Sequence, residues 1–251
     1  MTWSFSRLNA FYTCPYEFYL HYIECNKASE NFFGQFGSFI HSILEKYAKG
    51  ELNIFEISQY YEDNFDKEIT EPAPPNKYVD MRQSYYDKGL DYLDNIDLIL
   101  EDYKVLGVEK KIEFEIMEYN LVGYIDLLLQ DKEGNIIVLD HKSASLKFKK
   151  NGEISKSDLQ HFTDFKRQLY LYSMAIINEY KKPPKYLWWN MFKERKHIKI
   201  DFNDDDYNEA VSWAKNTIKL IENETMWLPN PNQFYCRYLC GMRNNACEYK
   251  E

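Results

Sequence analysis

The 251-residue sequence contains no apolar run that approaches the roughly 20 residues needed to span a bilayer. Its first residues also lack the apolar segment of a secretory signal peptide. The net charge is −9, so basic residues are not in excess. The nine glycines form no phosphate-binding loop such as a Walker A motif. We therefore predict a cytoplasmic protein with no membrane partner and no helicase motor of its own.

The composition is that of an ordinary globular domain. Hydrophobic residues make up 45% and charged residues 28%, and the chain is long enough to bury a core as one domain. The 22 tyrosines and 16 phenylalanines must fill much of that core or form stacking surfaces. An acidic chain does not match the basic footprint of most nucleic-acid binders. The segment Lys142–Lys156, however, holds five lysines and one glutamate, and Lys166, Arg167 and residues 193–197 add basic groups, so a local contact patch or solvated loops would both fit.

Five cysteines in a cytoplasmic chain argue against structural disulfides. Three of them, Cys236, Cys240 and Cys247, lie close together near the end of the sequence, as metal ligands do. A site that also included Cys14 would join the two ends of the chain and close a very long loop. Four thiolates suit a 4Fe–4S cluster or zinc, and this chemistry alone does not choose between them. Cys25 is the odd cysteine, which we interpret as a free thiol.

Hydrophobic periodicity and turn signals predict helices first, then three strands, a helix, two strands and a final helix. This order is typical of an α/β fold with a mixed central sheet flanked by helices. Within one domain we predict a helical lobe (1–105), an α/β core (106–225) and a cysteine-rich tail (226–251) that returns to Cys14. The predicted helices cover 3–24 (interrupted at Cys14-Pro15 and capped by Ser4 or Ser6), 38–48, 54–69, 78–103, 163–180 and 204–224; the predicted strands cover 108–117, 121–130, 135–140, 186–192 and 197–202; a Gly-aromatic turn covers 32–39 and a proline-rich loop 71–77.

The stretch Gly123–Lys142 predicts a buried β-hairpin. Its two runs, 121–130 and 135–140, are apolar and branched, and the DKEG segment between them has the composition of a tight turn. Asp126 lies inside the first run, where an unpaired carboxylate is expensive to bury. A divalent cation shared with Asp140 on the second run would neutralise both carboxylates and remove that cost.

Two pairs of side chains have spacings that place them together. Asp140 and Lys142 are two residues apart, so both point to the same face of an extended strand, with the ammonium beside an attacking water. The alternative is that Asp140 caps the strand end and Lys142 is solvated. His41 and Glu45 are four residues apart on one helical face, where a histidine is either structural or a metal ligand.

The carboxylates and the lysine of this hairpin resemble the signature of the PD-(D/E)XK nuclease superfamily. Two helices extend the resemblance to RecB-type nucleases: residues 37–45 match G-x-x-x-H-x-x-L-E, and residues 168–172 match Q-x-x-x-Y. The Cys-Pro-Tyr-Glu-Phe segment at 14–18, together with the three later cysteines, resembles the iron–sulfur subset, which includes AddB-type nuclease domains and CRISPR-adaptation exonucleases. The resemblance covers nearly the whole chain, with the motifs in the family's order.

The resemblance implies a restriction-endonuclease-like core that binds a divalent metal ion. The ligands would be His41, Asp126, Asp140 and the backbone carbonyl of His141. Mg²⁺ and Mn²⁺ are the expected ions, and an imidazole nitrogen tilts the preference toward Mn²⁺. Glu45 would hold the His41 ring in orientation or form an ordinary surface pair.

The implied activity is that of a DNA exonuclease, which hydrolyses phosphodiester bonds. Asp126 and Asp140 would act together with Lys142, which would position the attacking water, while Gln168 and Tyr172 would line the site. The substrate would be single-stranded or frayed DNA in recombination, repair or DNA processing. A helicase, a recombinase or an integration complex would act in trans.

The same resemblance favours a 4Fe–4S cluster on Cys14, Cys236, Cys240 and Cys247, with zinc as the less favoured substitute. The sequence departs from the family's pattern at this point. Its last three cysteines follow C-x3-C-x6-C, whereas the family usually has two residues between the first pair. The wider spacing is still compatible with a cluster.

Other residues and other functions also fit the sequence. Trp188 or Trp189, and Tyr170, are candidates for stacking on unpaired bases. Glu113 or Glu115 could reach the site from the neighbouring strand. A non-catalytic nuclease-like protein that binds DNA or a partner, stabilised by the cluster, is one alternative function. A zinc-stapled binding module is another.

Overall fold

The computed structural model describes residues 2–96 and 99–249. Two π-turns, Tyr19–Ile23 and Tyr235–Leu239, lie near the two ends of the described chain. No helix in the described part has the length and apolarity needed to span a bilayer. The helices are α1 (Phe5–Thr13), α2 (Pro15–Phe18), α3 (Phe32–Ala48), α4 (Ile57–Glu68), α5 (Met81–Asp94), α6 (Ile99–Asp102), α7 (Leu159–Tyr180) and α8 (Asp204–Glu222), and the strands are β1 (Lys104–Ile116), β2 (Tyr119–Gln130), β3 (Ile136–Lys142), β4 (Tyr186–Met191) and β5 (Lys196–Asp201).

The strands form one five-stranded sheet in the order β1-β2-β3-β4-β5. Strands β1, β2 and β3 pair antiparallel, β3 and β4 pair parallel, and β4 and β5 pair antiparallel. The parallel step requires a long crossover, which α7 supplies. The predicted α/β fold with a mixed sheet flanked by helices is therefore confirmed.

Both faces of the central strands are covered. One face packs against α1, α7 and α8, where Leu128, Val138 and Trp189 belong to the main core and have no exposed surface. The alternate side chains, such as Leu129 and Ile137, are equally buried in a smaller cluster on the opposite face. Burial on both faces explains why β2 and β3 are nearly continuous apolar runs.

Helices α3, α4 and α5 form an apolar cluster of their own, which Phe192 joins from the end of β4. The N-terminal α1 is not part of this cluster, because its apolar side chains pack into the main core against the sheet. The lobe formed by α3–α5 thus stands beside the sheet, while α1 lies on it. This arrangement brings α1 and α3 to one end of the sheet from two directions.

The predicted hairpin between β2 and β3 is present. Gly134 has a φ of 85°, the left-handed conformation that the turn requires. The backbone N–H of Asp131 donates to the carbonyl of Asn135 at 3.0 Å and closes the turn. The turn therefore fixes the register in which the two strands run back toward their polar residues.

The prediction of a Gly-aromatic turn over 32–39 is wrong, because this segment is the beginning of α3. The side chain of Asn31 caps the helix by accepting a hydrogen bond from a backbone N–H in its first turn. Phe32, Phe36 and Phe39 recur at helical spacing and are all buried in the lobe cluster. Capping and burial outweigh the low helix propensity of the two glycines in the segment.

The prediction of one helix over 78–103 is also wrong. Helix α5 ends at Asp94, and the Asn95 side chain donates to the Asp91 carbonyl at 2.8 Å, in competition with the helical backbone. A separate short helix, α6, follows. Residues 97–98 lie outside the described residues.

The remaining predicted elements are present with shifted ends. Helix α4 begins at Ile57 rather than at residue 54, and α7 begins at Leu159, four residues before the predicted start. Strand β1 begins at Lys104 and is longer than predicted. The side chain of Ser4 accepts a hydrogen bond from the backbone N–H of Arg7 at 3.2 Å, which confirms the predicted cap of the first helix.

Candidate active site and metal centres

The ladder between β2 and β3 ends at the pair Leu127 and Leu139. Asp126 and Asp140 are the next residues of the two strands, so both carboxylates lie where the pairing stops. A cleft of about 550 Å³ opens at this point between α1, α3 and α7. We call this space the sheet-end cleft.

Asp126 is nearly buried, with 12% of its side chain exposed. Its Oδ2 accepts a hydrogen bond from the backbone N–H of His141 at 2.6 Å and lies 3.5 Å from Nδ1 of His41. Burial raises the pKa of Asp126 well above its usual value, and the neighbouring charge of Asp140 raises the pKa further. A bound cation would relieve both effects.

Asp140 and Lys142 face the same cleft. The Nζ atom of Lys142 lies 2.8 Å from Oδ2 of Asp140 and donates to Oε1 of Gln168 at 2.6 Å. Asp140 is only 4% exposed, and apart from this ion pair its Oδ2 has no hydrogen-bond partner among the described residues. A buried carboxylate oxygen with unused lone pairs is the kind of atom that a metal ion satisfies.

Gln168 and Tyr172 are one turn apart on α7, and Nε2 of Gln168 donates to the Tyr172 hydroxyl at 3.4 Å. Burial raises the pKa of Tyr172 to about 12, so the phenol stays protonated. The Tyr172 ring fits against β2 because residue 123 is glycine. A Cβ at Gly123 would lie 2.3 Å from the ring, so this glycine sets how closely α7 approaches the site.

His41 reaches the site from α3, which lies close to the segment after β3. A Cβ at Gly37 would lie 2.8 Å from Oγ of Ser143, so a larger residue would push the helix away. Burial lowers the pKa of His41, which keeps the ring neutral and able to bind a metal. The rings of His41 and His141 are perpendicular, with centroids 5.7 Å apart.

The His141 side chain is fixed by a buried polar network. Its Nδ1 lies 2.9 Å from Nδ2 of Asn190, which also donates to the Tyr92 hydroxyl at 2.6 Å. Burial lowers the pKa of His141 well below its usual value. Burial thus keeps the His141 imidazole neutral, and the backbone of His141 lies within hydrogen-bonding reach of His41.

Glu109 is the site residue that the sequence did not reveal. One donor atom from each of Glu109, His41 and Asp126 can be chosen so that all three lie within 4.8 Å of one another. Strict alternation along β1 would place Glu109 with Glu113 on the exposed face. Glu109 instead has a φ of 47°, a left-handed conformation that is strained for a residue with a side chain and breaks the alternation.

Burial raises the pKa of Glu109, and the charge of Glu45 adds to the effect. Glu45 itself forms an ion pair with Lys49 at 2.5 Å. Within the described residues, no hydrogen bond joins Glu45 to the His41 ring. The structure therefore places the Glu45 carboxylate near Glu109, and not in a position to orient the His41 ring.

Other candidates from the sequence lie elsewhere. Glu113 pairs with Lys111 at 2.5 Å, and both Glu113 and Glu115 border a different surface pocket, so neither reaches the cleft. The expected base-stacking rings, Trp188, Trp189 and Tyr170, are all buried in the cores on the two faces of the sheet, and the expectation that they stack on bases is wrong.

Residues 2–250 match the profile of the PD-(D/E)XK nuclease superfamily. The chain belongs to this superfamily. The match places the hairpin carboxylates and lysine, the α3 histidine and the α7 glutamine within one superfamily domain. No curated protein matches the chain.

Solved structures show how far the fold of this nuclease-superfamily chain is shared. The chain is similar to the crystal structure of a candidate exonuclease from Eubacterium rectale, with a TM-score of 0.56 and 12% sequence identity over 98% of this chain and 89% of that chain. At this identity the likeness shows the fold alone. The crystal structure of SSO0001 has a TM-score of 0.38 and 14% identity over 85% of this chain and 96% of that chain, and this weaker likeness carries no argument.

The donor set of the sheet-end cleft fits the divalent ion that PD-(D/E)XK nucleases use. It combines an imidazole nitrogen with carboxylate oxygens, a mixture that Mn²⁺ accepts and Mg²⁺ tolerates. The raised pKa values of Asp126 and Glu109 indicate negative charge that the protein alone does not neutralise. The unused lone pairs of Asp140 point to the same conclusion.

Four cysteines of this nuclease-superfamily chain, Cys14, Cys236, Cys240 and Cys247, line one enclosed cavity, which we call the cysteine cavity. The backbone N–H of Met242 donates to Sγ of Cys240 at 3.3 Å, and the thiol of Cys14 accepts a similar bond from a backbone N–H at 3.4 Å. Such bonds are typical of metal-bound sulfur. The fifth cysteine, Cys25, is exposed.

Glu17 links the segment that contains Cys14 to the segment that contains the other three cysteines. Its carboxylate accepts hydrogen bonds from the Tyr235 hydroxyl at 2.7 Å and from the backbone N–H of Gly241 at 2.8 Å. Burial raises the pKa of Cys240 to about 12, and the charge of Glu17 adds to the effect. The Cys240 thiol therefore stays protonated unless a metal displaces the proton.

The spacing of the thiols distinguishes two kinds of metal group. All four cysteines lie within the described residues, and no three of their sulfur atoms come within 4.8 Å of one another. A tetrahedral zinc ion with Zn–S bonds of about 2.3 Å would need sulfur atoms about 3.8 Å apart. Within the described residues the thiols are therefore not already arranged around a single tetrahedral zinc ion.

Proposed function

We propose that this chain is a divalent-metal-dependent deoxyribonuclease that acts on DNA ends. The observation that carries the proposal is the convergence of Asp126, Asp140 and Lys142 in one cleft, at the point where the β2–β3 ladder ends. Two buried carboxylates beside an ammonium suit the hydrolysis of a phosphodiester, which needs a metal ion, an oriented water and charge stabilisation.

His41, Glu109, Asp126 and Asp140 would hold Mg²⁺ or Mn²⁺, with the backbone carbonyl of His141 beside them. The bound ion would act as a Lewis acid on the phosphate. The protein's own contribution is to hold these donors in place before the ion arrives. The His141 N–H fixes the Asp126 carboxylate, and the close contact of α3 with the segment after β3 fixes the His41 ring.

Lys142 would position the attacking water and stabilise the charge that develops on the phosphate. Its ammonium is held between Asp140 and Gln168, so little freedom is lost when the substrate binds. Tyr172 in turn fixes Gln168 and packs against Gly123. The catalytic set is therefore Asp126, Asp140 and Lys142, with the two α7 residues as positioning groups.

The proposal that the enzyme is an exonuclease for single-stranded or frayed DNA is supported by two observations. The similar fold from Eubacterium rectale is described as a candidate exonuclease. The basic groups Lys149 and Arg167 are engaged in ion pairs, whereas none is found for Lys147, Lys150 and Lys156 in the part of the chain that the structure describes. The loop after β3 thus offers free cations to a phosphate backbone. A helicase, recombinase or integration complex would supply opened DNA in trans.

We further propose that the cysteine cavity binds a 4Fe–4S cluster. Among the described residues no three sulfur atoms are placed for a single zinc ion, and backbone N–H groups donate to two of the sulfurs; both observations support this assignment over zinc. Metal analysis of anaerobically purified protein tests it: iron, acid-labile sulfide and a brown colour are expected. A colourless protein that contains stoichiometric zinc would contradict the proposal.

The nuclease proposal is tested with linear single-stranded DNA labelled at either end, in the presence of Mn²⁺ or Mg²⁺. A circular single strand separates attack at ends from internal cleavage. Asp140→Asn and Lys142→Ala should abolish degradation, while Glu113→Gln, a matched change of an exposed carboxylate away from the cleft, should leave it intact. Degradation that persists in both Asp140→Asn and Lys142→Ala would show that the activity does not come from this cleft. A wild type that binds DNA without degrading it would favour a non-catalytic binding role.

A further inference from the structure

The cleft-facing side of α7 contains two rings that the proposed chemistry does not use. His161, Phe165 and Gln168 all line the cleft, and Tyr172 continues the same helical face. Gln168 and Tyr172 serve Lys142, but His161 lies two turns away, about 10 Å along the helix axis from Gln168. It therefore stands at the mouth of the cleft.

The His161 ring contacts Phe165 on one side and is exposed on the other. Its centroid lies 4.5 Å from that of Phe165, at an interplanar angle of 56°. Phe165 is buried, and the Lys142 ammonium lies 5.0 Å from its ring centre. His161 is exposed. An aromatic ring fixed on one side and free on the other is a stacking platform.

No other ring that lines the cleft is comparably accessible within the described residues. Phe5, Phe165 and His141 are buried, His41 faces the metal donors, and the hydroxyl of Tyr235 is held by Glu17. The tryptophans of β4 are buried as well. An unpaired base that enters the cleft therefore meets His161 first.

The charges around His161 are of both signs. Asp164, which is paired with Arg167, and Asp158 influence the ring electrostatically, and so does the Lys142 ammonium. Burial lowers the pKa of His161, so the ring is neutral at neutral pH. A neutral ring among offsetting charges suits an uncharged, flat group.

We propose that His161, supported by Phe165, forms a subsite that stacks on an unpaired nucleobase next to the scissile phosphate. The proposal rests on the nuclease function of the same cleft and adds the group that selects an opened strand. A base within a duplex is already stacked on its neighbours and is not free to meet the ring. The subsite would therefore favour single strands and frayed ends without favouring a sequence.

The test uses the full chain carrying Asp140→Asn, so that DNA is bound without being cut. Single-stranded oligonucleotides carry the fluorescent base 2-aminopurine at one position at a time, counted from the end. His161→Phe keeps a ring and His161→Ala removes it. Gln160→Ala, on the adjacent and exposed position of α7, is the matched control.

Stacking predicts fluorescence quenching at one or two positions that persists in His161→Phe and Gln160→Ala and disappears in His161→Ala. His161→Ala should weaken binding about 5- to 150-fold, which corresponds to the ~1–3 kcal/mol of one stacked base. An abasic nucleotide at the quenched position should make wild-type His161 and His161→Ala bind equally. In the active enzyme, His161→Ala should raise KM far more than it lowers kcat.

Equal loss in His161→Phe and His161→Ala would overturn the proposal, because it would show a role for the imidazole nitrogens. Quenching that is unchanged in His161→Ala would also overturn it. In both cases the wild type would still degrade DNA, so the nuclease proposal would stand. A wild type that neither binds nor degrades DNA would refute both proposals together.

Discussion

The sheet-end cleft and the cysteine cavity are assembled in different ways. The cleft takes its carboxylates from neighbouring strands, and backbone hydrogen bonds place them before any ligand arrives. The cysteine cavity joins Cys14 to residues roughly 220 positions later. Within the described residues, no three of its sulfur atoms lie within 4.8 Å of one another. The cleft holds buried carboxylates whose charge a cation would neutralise, whereas the cavity is lined by thiols.

This difference teaches what each site should depend on. A site fixed by a sheet survives without its ligand, but its buried like charges oppose folding until a cation neutralises them. A site that is closed by its ligand holds the chain ends together only when the ligand is present. Removing a donor should therefore abolish activity at the first site and lower stability at the second.

The largest effect is expected for Asp140→Asn. Loss of a metal-binding carboxylate removes several kcal/mol of transition-state stabilisation, so the rate of DNA degradation should fall by at least about 10³-fold. The melting temperature in the absence of metal should change little, because the amide no longer repels Asp126 but also no longer pairs with Lys142. Parallel rate and melting measurements check both. A variant that unfolds would show that the cleft is not fixed by the sheet.

Cys14→Ser should have the opposite profile. In the chain-entropy picture, a cross-link that closes a loop of this length is worth about 5 kcal/mol, so the melting temperature should fall by at least about 10 °C. The metal content should fall with it. Cys25→Ser, a matched change of an exposed thiol, should alter neither quantity. An unchanged melting temperature in Cys14→Ser would remove the contrast between the two sites.

Gly123→Ala tests how closely α7 must approach the sheet. The added methyl would meet the Tyr172 ring at 2.3 Å, and the overpacking should cost about 1–3 kcal/mol and reduce activity through Gln168. In Gly34→Ala the new methyl has only ordinary contacts, and a helical glycine is replaced, so stability should be equal or higher. Denaturant titration of both variants measures the difference. Equal stability of the two would contradict the close approach.

The smallest effect concerns buried charge outside both sites. Burial lowers the pKa of Lys193 to about 8, against an ordinary value of about 10.4. Between these pH values the unfolded chain binds a proton that the folded chain does not, so the free energy of unfolding rises with pH across this window. Lys193→Met should therefore raise the melting temperature at pH 7 by about 2–4 °C, with the difference vanishing near pH 10. Lys132→Met, at an exposed lysine, is the control.

The hairpin could be predicted because its information is local. Two apolar runs, a turn with Gly134 and the two-residue spacing of Asp140 and Lys142 define the strands and their facing side chains. The mixed sheet followed from the order of the elements alone. The confirmed cap at Ser4 is equally local.

The rest depends on interactions that sequence spacing does not contain. Glu109 lies at the site because the register of β1 and β2 brings it across from Asp126, at a point where a left-handed backbone breaks the alternation of β1. Propensity alone does not predict the start of α3, because tertiary burial of Phe32 and Phe36 overrides the weak helix propensity of glycine. Trp188 and Trp189 were expected at the site, but burial on both sheet faces removes them from it.

The π-turn Tyr235–Leu239 explains how three residues fit between Cys236 and Cys240. The N–H of Cys240 donates to the carbonyl of Tyr235, five residues earlier, at 2.8 Å, so this turn holds one residue more than an α-helical turn. The extra residue is absorbed as a bulge in the helix, and both cysteines line the cavity. A search pattern that fixes two residues between these cysteines would therefore miss this arrangement, and one that allows an extra residue would find it.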